Sequence, residues 1–210
     1  MLFVGLTGGI ASGKSVVAAV FVRHGAHLHD ADRESRRLME PGTSAHEKIV
    51  ARFGSAIAGL DGTIDRKSLG RIVFGDEAAR RDLERILHPL ILETMKAAAA
   101  RSESESRSDV FVSDAALIYE AGIEAFFDKI VVAYCRPEVQ VERLMARDGI
   151  GRTEAEARLR AQMDPAEKKA RADYVVDTSD EWEETLARTE AVWAFLADDA
   201  RRKTGRSGRR

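Results

Sequence analysis

The residues with the clearest chemical potential lie at the start of the chain, where Gly8 to Ser15 read G-x-x-x-x-G-K-S, the spacing of a P-loop. Glycines at Gly8, Gly9 and Gly13 let the backbone wrap closely round phosphate oxygens with its N–H groups turned inward. Ile10, Ala11 and Ser12 complete the wrap, and Val16 follows it into a helix whose positive end faces the same spot. Lys14 reaches terminal phosphates, and Ser15 offers its hydroxyl to Mg²⁺. These residues predict a site for a nucleoside triphosphate.

The other candidate groups are carboxylates and arginines. Asp32 has the chemistry of a base that orients an acceptor hydroxyl and takes its proton; equally, Asp30 and Asp32 suit turn and N-cap positions of a following helix. Asp114, closing the run VFVSD, is either a carboxylate that holds Mg²⁺ or another residue of a strand-end turn. Arg136, Arg143, Arg147, Arg152, Arg158 and Arg160 form a basic cluster. Arg143 and Arg147 stand four apart and share a helix face, so the pair could clamp nucleotide phosphates. The alternative is a solvated surface in which Glu138, Glu142, Glu154 and Glu156 pair with these arginines. His88, before Pro89, reads more readily as a structural histidine than as a catalytic one.

Alternating elements must position these groups. The apolar run from Leu2 to Leu6 predicts a short buried strand, and the helix after Lys14 ends near Gly25. A strand over 27–29 leads into DAD and a helix that Pro41-Gly42 stops. Ser44 with Glu47, and Thr153 with Glu156, have the spacing of capping boxes opening two further helices, the second running to Met163. Residues 66–102 read as helical pieces broken at Gly75 and at His88-Pro89. VFVS, KIVVAYC and YVVD are strands, and Pro137 suits the first turn of a helix. A long last helix begins near Asp180, with Trp182, Leu186, Val192, Trp193 and Leu196 at core spacing. This alternation predicts an α/β fold with a mostly parallel sheet and helices on both faces, with ligands outside the carboxyl ends of the strands.

The 210 residues allow one compact domain with small lobes. No apolar stretch has the length of a membrane span, and the N-terminus lacks the basic region of a signal peptide. Cys135 is the lone cysteine; it suits a reducing cytoplasm and a buried apolar position. The net charge is −2, yet the last ten residues carry six basic side chains and no acid. Subtracting those six leaves the first 200 residues at −8, which argues against nucleic acid as the main ligand. Residues 201–210 are expected to be a disordered basic tail.

Together these residues resemble the dephospho-CoA kinase family. The motifs are GLTGGIASGKS at the start, DAD with Arg36 and then PG, LHPLI around His88, ALIYEAG from Ala116, RLMARDG, and AQMDPAEKKARADYVVD with the closing helix. They span about residues 1–200. Ala116 stands where the family often has proline, and Thr178 where it often has asparagine, near the adenine end. The resemblance implies a single domain with a three-layer P-loop kinase fold: a five-stranded parallel sheet, a helical substrate lobe over about 60–105 and a helical lid over about 138–165. It implies that ATP, with Mg²⁺ held by Ser15 and Asp114, phosphorylates the ribose 3′-hydroxyl of dephospho-CoA to give CoA and ADP. Lys14 and Asp32 are then catalytic, Arg143 and Arg147 bind nucleotide, and Thr7, Asp32, Arg36 and His88 bind the acceptor. No membrane partner and a monomer or weak homo-oligomer are expected. Two rivals are another small-molecule P-loop kinase and a nucleotide-gated switch. DAD and Gln162-Met163 count against the first, and the lack of an N-K-x-D guanine-reading motif against a GTPase form of the second.

Overall fold

A computed structural model describes residues 1–59, 61–105 and 108–207. They form two compact units, one within residues 1–29 and 99–207 and one within residues 30–98.

The first unit is built on a five-stranded parallel sheet in the order β2-β3-β1-β4-β5. The strands are β1 (Leu2–Thr7), β2 (His27–Asp30), β3 (Val110–Asp114), β4 (Lys129–Tyr134) and β5 (Tyr174–Asp177). Strand β1 pairs in parallel with β3 on one side, Leu6 opposite Asp114, and with β4 on the other. Successive side chains of β1 face opposite ways. Leu2, Val4 and Leu6 enter a core with Val17, Ala18 and Phe21 of α1 (Lys14–Arg23) and with Val192, Leu196 and Ala200 of α9 (Trp182–Ser207). On the opposite face Phe3 stacks on Phe111 and Phe127 at 5.0 and 5.3 Å. A β-carbon at Gly5 would meet Ile118 at 2.8 Å, so this face is filled by the β3–β4 connection.

Helices α6 (Pro137–Asp148) and α7 (Arg152–Arg160) pack through Val141, Leu144 and Ala155, with Ile10 and Ala11 of the P-loop against that cluster. Pro137 takes the expected first-turn position. Helix α7 starts one residue before Thr153, behind Gly151, and stops at Arg160, so the second capping box does not form. Helix α8 (Pro165–Arg171) follows, capped by the Asp164 side chain.

The second unit holds α2 (Ala31–Leu38), α3 (Ser44–Phe53), α4 (Arg66–Gly75) and the first part of α5 (Glu77–Ser104). Its core comprises Ala45, Ile49, Ile57, Ile64, Leu69 and Leu87, with Leu38 and Met39 against them. Because α2 and α3 share this core, the unit begins at residue 30, earlier than the expected lobe. Thr43, not Ser44, caps α3, accepting the His46 N–H at 3.1 Å. Helix α5 continues through Pro89 for 28 residues. Proline removes one backbone hydrogen bond there, while Leu83, Ile86, Leu87, Leu90 and Ile91 on both sides of it pack into the core.

The expected disordered tail is helical as far as Ser207, the last residue of α9; residues 208–210 lie outside the described residues. Ala200 is buried, and Lys203 beyond it pairs with Asp128 at 2.5 Å. Basic side chains also favour the negative end of a helix. Among the described residues no helix is long and apolar enough to cross a membrane.

Candidate functional site

The P-loop leaves the carboxyl end of β1 and enters α1. A β-carbon at Gly8 would lie 2.6 Å from the Ala133 carbonyl oxygen, so only glycine fits beside β4. Gly13 has φ +76° and would press a β-carbon onto Thr178 at 3.2 Å. Ala11 also adopts a left-handed backbone, φ 56°, which is uncommon for a residue with a β-carbon and is held by its surroundings. No side chain caps α1 at Gly13, so the positive end of the helix opens towards the loop.

Two glutamines fix the loop. Gln162 accepts the Ile10 N–H through its side-chain oxygen at 2.7 Å, and the buried Gln140 donates its side-chain NH₂ to the Ile10 carbonyl at 2.7 Å. A polar network continues from them. The Met163 N–H donates to Glu120 at 3.1 Å, and Glu120 pairs with Lys168 at 2.7 Å. Lys168, wholly buried, also donates to the Ala116 carbonyl at 2.9 Å, which accepts the Thr7 hydroxyl at 3.0 Å. A buried ammonium needs such partners. Thr7 is thus a buried tie between β1 and the β3–β4 connection.

Lys14 and Asp114 form an ion pair, each less than a fifth exposed. The P-loop lysine and the carboxylate that ends β3 thus stand side by side. Ser15 lines a cavity of about 550 Å³ with Ala11, Gly13, Arg143, Arg147, Thr178 and Trp182. Arg143 donates to the Thr178 carbonyl at 2.7 Å and reaches the Cys135 thiol at 3.4 Å. Burial pushes the Cys135 thiol up from its ordinary range, so it stays protonated. Arg147 is exposed and pairs with Asp148 at 2.7 Å. The remaining arginines follow the surface reading: Arg158 pairs with Asp148 and Glu154, Arg152 and Arg160 with Glu156, and Arg136 with Asp180.

The second unit carries the other candidates. Asp30 caps α2, accepting the Arg33 N–H at 2.8 Å. Asp32 is therefore not the cap; it stands exposed in the first helical turn, with Arg36 one turn on along the same face. His88 is half-buried in α5, and burial lowers its pKa, favouring the neutral ring.

Sequence reasoning missed three groups. Gln140 interrupts the apolar face of α6, a readable signal of a buried polar role. Lys168 lies beside Lys169 in a basic run, and nothing in the pattern separates the buried lysine from the exposed one. Trp182, expected in the core, is instead 56% exposed at the cavity; it opens α9, before the first buried turn.

A dephospho-CoA kinase family model matches residues 2–184. The chain is 48% identical over 194 residues to a dephospho-CoA kinase of Geobacter sulfurreducens, covering 92% of this chain and 98% of that one. A solved structure, TT1252 from Thermus thermophilus, is 33% identical with a TM-score of 0.80, covering 94% and 97%. A dephospho-CoA kinase structure from Campylobacter jejuni is 26% identical with a TM-score of 0.66, covering 93% and 97%. On a P-loop kinase fold, with this P-loop and this extent of matching sequence, the chain belongs to the dephospho-CoA kinase family.

Proposed function

We infer that the chain catalyses phosphoryl transfer from ATP to the ribose 3′-hydroxyl of dephospho-CoA, giving CoA and ADP in the last step of coenzyme A biosynthesis. The observation that carries this reading is the Lys14–Asp114 pair beside an uncapped helix start, on a chain of this family.

Gly8 to Val16 supply the backbone cradle for the phosphates. Lys14 neutralises charge that develops between the β- and γ-phosphates. Arg143 and Arg147, on the same cavity, are the groups that would clamp the chain of phosphates. The Ser15 hydroxyl and the Asp114 carboxylate are hard oxygen donors, the chemistry Mg²⁺ prefers when nucleotide phosphates provide its other ligands. Bound there, the ion would offset phosphate charge.

Asp32 is the proposed base for the acceptor hydroxyl. Its exposure supports this, as does the capping of α2 by Asp30, which leaves the Asp32 carboxylate outside the capping role. Arg36 and His88 are proposed to hold the acceptor, His88 as a neutral hydrogen-bonding ring. Thr7, expected in that set, instead has its buried hydroxyl on the Ala116 carbonyl, a structural role at the end of β1. The lone buried cysteine suits a reducing compartment, and we place the enzyme in the cytoplasm.

The test is ADP release with Mg-ATP and one acceptor at a time: dephospho-CoA, AMP or shikimate. The reading expects turnover with dephospho-CoA far above the other two. Preference for AMP or shikimate, or equal ADP release without acceptor, overturns it.

A further inference from the structure

Trp182 is a large aromatic ring left 56% exposed at the start of α9. The packing of that helix does not use it. Thr185, Thr189, Val192, Leu196 and Ala200 make the buried side of α9. The chain's other tryptophan, Trp193, packs against Phe21 at 5.6 Å and His24 at 5.5 Å. Trp182 instead lines the cavity that Ala11, Gly13 and Ser15 of the P-loop also line. It is the one aromatic ring among the lining residues. Two acids line the cavity with it, Asp180 and Glu181; the charge of Asp180 is offset by Arg136 at 3.1 Å and Arg188 at 2.8 Å.

A nucleoside triphosphate has a charged end and a flat aromatic end. The P-loop matches the first, and an indole face matches the second, since bases stack on aromatic rings. We propose that Trp182 is the stacking platform for the nucleobase of the triphosphate. This rests on the nucleotide reading given above and adds to it a residue that supplies base affinity. Every base has a π-face, so stacking on Trp182 strengthens binding of purine triphosphates without choosing between them. Selection of adenine must then come from polar groups elsewhere in the cavity.

The experiment uses the full chain. In a Trp193→Phe background Trp182 is the sole tryptophan, and its emission is followed while Mg-ATP, Mg-GTP or tripolyphosphate is added. Both nucleotides should change the emission and tripolyphosphate should not. In Trp182→Ala, calorimetry should show weaker binding of ATP by about fivefold to a hundredfold, the range for loss of one stacked base, with unchanged affinity for tripolyphosphate. Trp182→Phe should recover most of the ATP affinity. The proposal is overturned if Trp182→Ala binds ATP as the unaltered chain does, or if ATP and tripolyphosphate weaken together, which marks a disturbed P-loop. An unaltered chain that binds tripolyphosphate but gains nothing from the base also overturns it. Failure to bind either ligand overturns the nucleotide site itself.

Discussion

The side-chain oxygen of Gln162 accepts the backbone N–H of Ile10 at 2.7 Å, joining residues 152 positions apart. With Gln140 on the Ile10 carbonyl at 2.7 Å, the peptide groups flanking one P-loop residue are held from two sides. Phosphate cradles work through preset N–H directions, and the two glutamines fix the peptide groups on either side of Ile10 within the loop. Replacing Gln162 with alanine removes one such bond, worth about 0.5–1.5 kcal/mol. ATP affinity measured by calorimetry should fall by about two- to twelvefold, the same energy written as a binding ratio. Unchanged affinity would mean that the loop holds its shape without Gln162.

Arg143 and Arg147 line one cavity with different attachments. Arg143 is held by the Thr178 carbonyl and Cys135, whereas Arg147 pairs with Asp148 at the surface. Alanine at each position should lower kcat/KM by about tenfold or more at one of the two, the value of a charge-assisted contact. Arg143→Ala should also lower the melting temperature, and Arg147→Ala should not, because an exposed pair contributes little. Full activity in both variants would remove both arginines from the transfer.

His88 links activity-independent stability to pH. Burial holds its pKa below the ordinary value of 6.5, so the folded chain binds this proton less readily than the unfolded chain. Stability carried by the neutral ring is present above pH 6.5 and is lost as the pH falls through 6.5 towards the folded value. Urea midpoints measured from pH 7.5 to pH 5 should fall, and should fall less in His88→Gln. An identical decline in the variant would assign the acid sensitivity to other groups.

Much of this was legible because it depends on local spacing. The P-loop, all five strands, the Pro137 start of α6 and the strand-end Asp114 follow from patterns within a few residues. What escaped depends on partners distant in sequence. Lys168 becomes buried through Ala116 and Glu120, about fifty residues before it. Helix α5 passes through Pro89 because a core of several helices holds both sides. Thr43 rather than Ser44 caps α3, a shift of one residue that both types would permit. Residues 201–207 read as a solvated tail because their composition is basic, yet they prolong a helix already anchored at Ala200.

Asp32 separates base chemistry from helix capping most cleanly. Asparagine keeps the size of the side chain but cannot accept the hydroxyl proton. Asp32→Asn should lower kcat by about a hundredfold or more, with ATP affinity and melting temperature near those of the unaltered chain. A fall below about threefold, under about 0.7 kcal/mol of barrier, would remove Asp32 from the chemistry.

The most direct test of phosphoryl transfer to dephospho-CoA is the identity of the product. The full chain is incubated with Mg-ATP and dephospho-CoA, and the product is isolated for mass and for the position of the new phosphate by NMR. The account predicts a gain of one phosphoryl group, located on the ribose 3′-oxygen, with one ADP formed for each product molecule. A phosphate at any other position, or ADP formed with dephospho-CoA recovered unchanged, would contradict it.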